Sequence, residues 1–303
     1  MPELPEVETI RRQLAPLVEG RRLLVMEILD ARWSRPMDPT ELSSLLVGRR
    51  VEELGRRGKY LLWHFSDDVH LAQHLRMTGA VLADPAPEPS HTRVRMLLGP
   101  GGHGPDPRKR RRLVISDPRR FGTGEALIGD QALERFLDAR LGYEPFDERL
   151  TGAYLRLLAA GRTAPVKAFL LDQRKLAGVG NIYADEALFR AKVHPRRPAG
   201  RLTLGQWERL RETVIESLNA GIDARGASID DFRHVDGVKG SFQDRFLVHL
   251  REGEPCVVCG TTIVKMVVAG RGTYVCETCQ PRPRLRRRGA PPSDRPPQRR
   301  GPR

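Results

Sequence analysis

The chain has 303 residues, of which 39% are hydrophobic, and it carries a formal net charge of +14. A chain of this length can bury a substantial core and predicts two or three folded units at roughly 100–200 residues each. Its apolar runs are shorter than the ~18 residues of a membrane span, and its first twenty residues, which include four glutamates, lack an apolar signal core. We therefore expect a globular, cytoplasmic protein without a membrane partner.

The N-terminus places a proline and a carboxylic acid directly after the first methionine. Removal of Met1 would free the Pro2 amine, and a terminal amine titrates near ~8, against ~10.4 for a lysine side chain. As a secondary amine, Pro2 would form a cationic iminium with an aldehyde, and Glu3 is placed to move the protons. The same residues also suit an ordinary helix start, with Pro5 in the first turn and Glu6 at the positive end of the helix dipole.

The hydrophobic pattern predicts an α+β fold built from two different lobes. A helix is expected over 5–17, followed by strands at 23–29, 60–65, 70–75, 94–98, 113–116 and 124–127. From about residue 130 the apolar spacing becomes helical, at 131–137, 152–160, 165–171, 181–190 and 204–220. The pattern therefore predicts a β-rich domain over 1–130 and a mainly helical domain over 131–250.

Positive charge is concentrated in two segments. Five basic residues at 108–112 follow a stretch rich in Gly, Pro and His at 99–107, which indicates an exposed basic insertion. Such a patch suits a polyanion, although a solvated loop is the other interpretation. The tail over 282–303 has nine arginines against one aspartate and few apolar residues, so we expect it to be disordered.

A glycine-rich segment precedes the helix predicted at 181–190. We expect Gly178 and Gly180 to end one helix and Asn181 to cap the next. A helix start exposes backbone N–H donors and the positive end of the dipole, so it can hold a phosphate. A purely structural helix-turn-helix corner would have the same sequence features.

The four cysteines of the chain have the spacing of a metal ribbon. They form two Cys-x2-Cys pairs, Cys256 with Cys259 and Cys276 with Cys279, separated by sixteen residues. This spacing favours tetrahedral Zn2+ over two disulfides, because a chain in a reducing compartment seldom keeps disulfides. A four-thiolate site has no open position for a substrate, so the metal is expected to be structural. The hairpin between the pairs presents Arg271 at its turn.

These motifs, in this order, resemble those of the formamidopyrimidine-DNA glycosylases, bacterial repair enzymes that excise oxidised purines and then nick the strand. The matching segments are 1–9, 58–62, 74–79, 117–122, 178–189 and the cysteine hairpin. The resemblance implies an N-terminal catalytic β-sandwich with a leading helix over 1–130, a helix-two-turn-helix domain over 131–250 and a C-terminal zinc-ribbon β-hairpin over 251–281. Damaged double-stranded DNA would lie between the two halves, and the protein would act as a monomer.

The resemblance also implies catalytic roles. Pro2 would attack the anomeric carbon of the sugar and form a Schiff base, while Glu3 would protonate the ring oxygen, with Glu6 as a supporting acid. Lys59 matches the family lysine linked to β-elimination, and Arg271 matches the arginine linked to δ-elimination and phosphate binding.

Further positions match residues that contact DNA. An enzyme that extrudes a base loses stacking worth a few kcal/mol, and inserted side chains offset that loss. Met77, Arg119 and Phe121 match the inserted trio; without the resemblance, Met77 and Phe121 would be interpreted as core residues. The other family DNA-contact positions fall on His74, His91, Arg120, Arg162 and Asn181. The family's lesion-sensing loop corresponds to 227–250.

Two other functions remain open from the sequence. A relative of the endonuclease VIII branch would share most of this machinery but favour oxidised pyrimidines; the first residues and the inserted trio argue for the purine branch. A noncatalytic zinc-ribbon protein could instead recognise damaged DNA without cutting it. Such a binder has no need of a processed Pro2 or of Glu3.

Overall fold

A computed structural model describes residues 2–102, 104–228, 235 and 239–283. The expected tail lies outside the described residues from 284 onward, as do 229–234 and 236–238 of the expected lesion-sensing segment. Within the described part, no helix combines the length and apolar character needed to cross a membrane.

The N-terminal half is a β-sandwich that follows a leading helix. Its two four-stranded sheets are antiparallel, with strand orders β1-β6-β7-β5 and β2-β3-β4-β8. The elements are α1 (Leu4–Val18), β1 (Arg21–Ile28), α2 (Pro39–Leu46), β2 (Val51–Arg57), β3 (Tyr60–Phe65), β4 (Val69–His74), β5 (Ala80–Ala83), β6 (Thr92–Gly101), β7 (Arg111–Ser116) and β8 (Thr123–Ile128). Of these, α2, β2 and β5 were not expected from the sequence pattern.

The second half is helical and is followed by a short hairpin. Its elements are α3 (Asp130–Asp138), α4 (Gly152–Ala159), α5 (Val166–Leu171), α6 (Asn181–Arg190), α7 (Leu204–Asp223), two 3-10 turns (Ala199–Arg201 and Phe242–Arg245), β9 (Val264–Val268) and β10 (Arg271–Val275). The predicted α+β class, with a β-sandwich, a helical region and a C-terminal hairpin, is therefore confirmed.

Helix α1 contributes to the cores of both halves. Val7 and Ile10 are fully buried in the core shared by the two sheets, together with Trp63 of β3. Leu4, at the first position of the same helix, is fully buried instead in the core formed by α4 to α7. Full burial of a leucine contributes about 1.5–3 kcal/mol. The first turn of α1 therefore joins the two halves directly beside Pro2 and Glu3.

Candidate active site

A cleft of about 530 Å³ lies where the two halves and the hairpin meet. Its lining includes six of the site residues predicted from the sequence, together with other residues. The predicted residues that line it are Glu3, Lys59, His74, Met77, Asn181 and Arg271, and the others include Arg76, Gln173, Gly180 and His249. The cleft therefore brings together residues from β-sandwich, helical region and hairpin.

Glu3 lies at the N-terminus of α6. Its carboxylate accepts hydrogen bonds from the backbone N–H of Ile182, at 3.0 Å, and of Tyr183, at 3.5 Å. These amide groups and the helix dipole favour a negative charge at this place. Pro2 is buried and covalently joined to Glu3, so the contact of Glu3 with α6 also fixes the position of the proline.

Two glycines allow this contact. A Cβ on Gly180 would lie 2.2 Å from Cδ of Glu3, and one on Gly178 would lie 2.5 Å from Leu4. The expectation that these glycines end a helix is wrong, because α5 already ends at Leu171. Glycine is needed at both positions because the N-terminal segment approaches the backbone here more closely than a side chain would allow.

Asn181 does not cap α6 through its side chain. The cap position is Gly180, and Asn181 is the first residue of the helix. Its Nδ2 donates to the carbonyl oxygen of Gly272 at 3.0 Å, while its Oδ1 is buried without a hydrogen-bond partner. Asn181 thus connects α6 to the hairpin that carries Arg271, and the capping acceptor of α6 is Glu3.

Glu6 is buried behind Glu3. Its carboxylate accepts from the Tyr183 hydroxyl at 2.7 Å, from the Ala227 N–H at 2.8 Å and from the Glu3 N–H at 2.8 Å. Burial first, and the nearby Glu3 carboxylate second, raise the pKa of Glu6 above its ordinary value. Glu6 is therefore placed to hold the N-terminal backbone and to keep a proton more readily than an exposed glutamate.

Lys59 is the second residue of the two-residue turn between β2 and β3, and only 5% of it is exposed. Burial lowers its pKa, and Arg271 acts in the same direction, whereas Glu3 and Glu6 oppose the shift. A lowered pKa increases the fraction of neutral amine at a given pH. Lys59 is therefore better suited to accept a proton than an exposed lysine would be.

His74 ends β4 and faces the cleft as a neutral imidazole. Its Nδ1 accepts the N–H of Arg76 at 2.9 Å, and its ring packs edge-on against Tyr60 with centroids 4.7 Å apart. Burial, with a smaller effect of Arg76, lowers the pKa of His74 to about 3. Since Nδ1 is an acceptor, the proton resides on Nε2, which makes His74 a neutral donor suited to a phosphate oxygen.

The three residues predicted to enter the DNA stack lie on two adjacent loops. Met77 is half-buried in the loop between β4 and β5, whereas Arg119 and Phe121 are exposed in the loop between β7 and β8. Phe121 is 50% exposed, with the Arg119 guanidinium 5.1 Å from its ring centre. The core interpretation of Phe121 is therefore wrong.

One buried carboxylate connects these two loops. Asp117 Oδ1 accepts from the Thr78 hydroxyl at 2.5 Å and the Arg119 N–H at 3.2 Å. Its Oδ2 accepts from the N–H groups of Phe121 and Gly122 at 2.8 and 2.7 Å. Sequence reasoning assigned no role to Asp117, although an aspartate before a proline is a usual turn-forming signal.

The other predicted DNA contacts are more dispersed. Arg120 donates to Asp30 at 2.5 Å, and this contact keeps the pKa of the Asp30 carboxyl at about 2. His91 is exposed, and its carbonyl oxygen accepts the Asp117 N–H at 3.0 Å. Arg162 is exposed after α4 and donates to the Leu158 carbonyl. Neither His91 nor Arg162 lines the cleft.

A buried ionic network fixes the hairpin against the helical region. Lys167 Nζ contacts Asp185 Oδ1 at 2.7 Å, Thr273 Oγ1 at 2.8 Å and the Gly272 carbonyl at 3.1 Å. The other oxygen of Asp185 contacts His249 Nδ1 at 2.8 Å. This network holds the residues next to Arg271, and the sequence pattern contained no signal for it because its members are far apart along the chain.

The four cysteines converge at the base of the hairpin. Sγ of Cys256 lies 3.9 Å from Sγ of Cys279, and Sγ of Cys259 lies 3.4 Å from Sγ of Cys276. All four sulfur atoms lie within 4.8 Å of one another. These separations exceed the ~2.05 Å of a disulfide, and four thiolates at this spacing are the donor set of a closed tetrahedral Zn2+ site.

The basic insertion and the loop that carries Arg119 and Phe121 lie at opposite ends of strand β7. The insertion connects β6 and β7 at the strand ends opposite to His91 and Asp117. Three of its five basic residues contact acids: Lys109 with Asp106, Arg111 with Asp84 and Arg112 with Glu88. Extra DNA affinity from this segment stays a prediction, and these ion pairs reduce the charge available for it.

Models of three protein families match consecutive parts of the chain. The N-terminal domain of formamidopyrimidine-DNA glycosylase matches residues 1–124, and the H2TH domain of the same enzymes matches 141–233. A zinc finger found in formamidopyrimidine-DNA glycosylases and isoleucyl-tRNA synthetases matches 253–282. Together with the sulfur geometry, this match identifies the four cysteines as one structural zinc site.

Similar proteins cover most of the chain. A formamidopyrimidine-DNA glycosylase of Methylococcus capsulatus is 42% identical over 283 residues, which is 92% of this chain and 100% of that protein. The crystal structure of a Thermus thermophilus protein of this type has 42% identity and a TM-score of 0.81, covering 92% of this chain and 98% of the other. A Lactococcus lactis protein in complex with DNA containing an abasic site has 35% identity and a TM-score of 0.83, covering 92% and 100%.

Proposed function

The chain belongs to the formamidopyrimidine-DNA glycosylase family, and on that premise we propose that it is a bifunctional glycosylase and AP lyase of base excision repair. Its substrates are duplexes containing 8-oxoguanine, formamidopyrimidines or abasic sites. A mutant of a related protein from Lactococcus lactis forms a complex with DNA containing Fapy-dG, with a TM-score of 0.84 to this chain. The protein is expected to act on DNA as a monomer.

The observation that carries this proposal is the position of Glu3. It lies in the cleft, beside Pro2 and at the N-terminus of α6, with Lys59 and Arg271 in the same lining. A structural helix start needs neither a carboxylate directed into another helix nor a buried lysine beside it. Burial of Lys59 has an energetic cost, which chemistry at this site would explain.

The first step would release the damaged base. After removal of Met1, the Pro2 nitrogen bonds to the anomeric carbon of the sugar, while the glycosidic bond breaks and its electron pair leaves with the base, which takes up the proton that the Pro2 nitrogen loses. Glu3 donates a proton to the ring oxygen as the ring opens, which leaves a cationic Schiff base on Pro2. The N–H groups of Ile182 and Tyr183 would then hydrogen-bond the carboxylate that this transfer leaves on Glu3.

The iminium then makes strand cleavage possible. It acidifies the adjacent carbon, so loss of a proton from that carbon expels the 3′ phosphate, and a second elimination expels the 5′ phosphate. Lys59, with its lowered pKa, is placed to take part in proton transfer. Arg271 and the neutral donor His74 would hold phosphates, whose negative charge an arginine stabilises. The four cysteine thiolates would leave a bound zinc ion without an open coordination position, so the metal would act only by holding the hairpin.

The loops joined by Asp117 would act before the chemistry. Extrusion of a base from duplex DNA leaves a gap, and filling that gap offsets the lost stacking. Three side chains on these loops are suited to fill the gap: the exposed Phe121, the adjacent Arg119 and the half-buried Met77. Their two loops lie at the same end of the β-sandwich.

The experiment is a borohydride trapping assay. Protein checked by mass for loss of Met1 is mixed with duplexes that contain 8-oxoguanine, an oxidised pyrimidine or no lesion. We expect a covalent adduct at Pro2 chiefly on the 8-oxoguanine duplex, and β- and δ-elimination products when borohydride is omitted. Pro2→Gly retains an N-terminal amine and tests the need for a secondary amine, while Glu3→Gln tests the proton donor.

Two outcomes would overturn the proposal in different ways. A preference for the oxidised pyrimidine would place the protein with the endonuclease VIII branch in substrate choice; a Lactococcus lactis relative does form a complex with DNA containing an oxidised pyrimidine. Binding of all damaged duplexes without any adduct would indicate a noncatalytic recognition protein. Gel filtration of the complex tests whether the protein binds DNA as a monomer, since a dimer would double the amount of protein per duplex.

A further inference from the structure

Three side chains at the far end of the second sheet form a cluster outside the cleft. His70 lies on β4, Asp68 lies in the turn before it, and Asp130 is the first residue of α3. Nε2 of His70 is 3.2 Å from Oδ1 of Asp68 and 3.4 Å from Oδ1 of Asp130. The three potential ligand atoms all lie within 4.8 Å of one another.

The backbone brings these groups together independently of the cleft. The carbonyl of Asp68 accepts the N–H of Gly129 at 2.8 Å, which ties the β3–β4 turn to the start of α3. Asp68 adopts a left-handed conformation, with φ of 55°. Its side chain and that of Asp130 therefore approach the same imidazole edge, although they are 62 residues apart in sequence.

The charge at this place is unbalanced. Asp68 and Asp130 are 58% and 80% exposed, and within the described residues each has a single ion-pair partner, the shared His70. With a neutral imidazole, the cluster carries two adjacent negative charges in a protein whose net charge is +14. A bound divalent cation would neutralise both carboxylates at once.

A second histidine orients the first. His70 is only 4% exposed, and its Nδ1 lies 3.0 Å from Nδ1 of His64, so one proton must be shared between these two atoms. When that proton is on His70, its Nε2 carries a lone pair directed at the two carboxylates. A ligating histidine commonly donates its other N–H to such a partner, which fixes the tautomer and the orientation of the ring.

We propose that Asp68, His70 and Asp130 bind a divalent transition-metal cation, distinct from the cysteine zinc. One imidazole and two carboxylates suit Zn2+ or Mn2+, and water would complete the coordination. The cation would join the β3–β4 turn to α3. This site would stabilise the fold, and it does not depend on the glycosylase activity.

The test uses full-length protein whose cysteine site already holds one Zn2+, checked by native mass spectrometry. Mn2+ is titrated, and the free ion is followed by its electron paramagnetic resonance signal, because Mn2+ prefers oxygen and nitrogen ligands to thiolates. We expect uptake of one Mn2+ per chain, a rise in the unfolding temperature with Mn2+ concentration, and displacement of Mn2+ by added Zn2+.

Variants separate this site from general surface binding. His70→Gln and the more exposed Asp130→Asn should each weaken Mn2+ binding more than tenfold, since loss of even an outer partner commonly costs about 10- to 100-fold. Asp67→Asn changes the neighbouring acid and should bind as the wild type does. Absence of Mn2+ uptake, or equal affinity in wild type, His70→Gln and Asp130→Asn, would overturn the proposal. His70 would then only donate a hydrogen bond to the two aspartates.

Discussion

The structure makes a specific prediction for Asp117→Asn, because this one carboxylate holds both loops that carry the proposed wedges. Its two oxygens accept four hydrogen bonds, from the Thr78 hydroxyl and from the N–H groups of Arg119, Phe121 and Gly122. Only 1% of Asp117 is exposed, so water is a poor substitute for any of these bonds.

The size of the effect follows from what asparagine can still accept. If its amide nitrogen occupied the Oδ2 position, it would face two N–H donors, so we expect it at the Oδ1 position instead. There the Thr78 hydroxyl can turn to accept, but the Arg119 N–H loses its bond to the carboxylate and keeps only the longer contact of 3.4 Å with the Thr78 hydroxyl oxygen. Loss of one hydrogen bond to a charged group costs about 1.5–3 kcal/mol.

We expect this free-energy cost to make extrusion of the base less favourable. At 1.4 kcal/mol per factor of ten, the population of correctly joined loops would fall about 10- to 100-fold. The assay compares kcat/KM on an 8-oxoguanine duplex with that on a single strand containing an abasic site, where no paired base must be extruded. We expect a 10- to 100-fold loss on the duplex and less than about a threefold loss on the single strand.

Two controls make the result interpretable. Asp138→Asn removes one negative charge, as Asp117→Asn does, but at an exposed position. It should therefore leave both rates unchanged. The unfolding temperature of Asp117→Asn should fall by several degrees, at about 2–4 °C per kcal/mol, and the protein should remain folded in the assay. Equal losses on duplex and single strand, or no loss on either, would refute the reasoning.

Other predictions concern the cleft and the elements that hold it. Gly180→Ala should reduce trapping on abasic DNA by more than about 100-fold, with an unchanged zinc content, because its Cβ would lie 2.2 Å from Cδ of Glu3; adduct formation at the wild-type rate would contradict this. Asp185→Asn leaves buried Lys167 without its charge partner, so we expect a loss of about 3–5 kcal/mol in urea unfolding and a lower ratio of δ- to β-elimination product on gels; Arg209→Gln, which breaks an exposed pair, is the control. Because the pKa of His74 is lowered to about 3 in the folded protein, the unfolded chain takes up a proton first as the pH falls below ~6.5. Stability attributable to His74 should therefore drop by about 2 kcal/mol from pH 7 to pH 5, and His74→Gln should lack this part of the drop when unfolding is measured at both pH values.

The elements that the sequence predicts well are those with clear periodicity. The core helices α6 and α7 and the strands β3 and β7 have apolar spacing that survives in the fold, because burial of one face determines them. The elements α2, β2 and β5 were missed for physical reasons. Strand β2 is largely polar, and β5 has only four residues, so pairing with neighbouring strands stabilises them rather than their own pattern.

The candidate site was partly predictable in the same sense. The cysteine spacing and the Pro2-Glu3 start carried chemistry that could be recognised locally. The contact of Glu3 with α6, however, joins residues about 180 positions apart, and no local pattern encodes it. For the same reason the local pattern predicts helix breakers at Gly178 and Gly180, whereas these glycines make room for the N-terminal segment. Asp185 and Lys167, which look like ordinary surface charges in the sequence, are fully buried.

The division of α1 between two cores defines a pivot for the molecule. Leu4 is anchored among the helices, while Val7 and Ile10, one and two turns later, are anchored between the sheets. In a rigid rotation of one half against the other, displacement grows with distance from the axis, so an axis through this turn would move Pro2 and Glu3 least. Such a rotation would change the width of the cleft while the Pro2 nitrogen and the Glu3 carboxylate keep their separation.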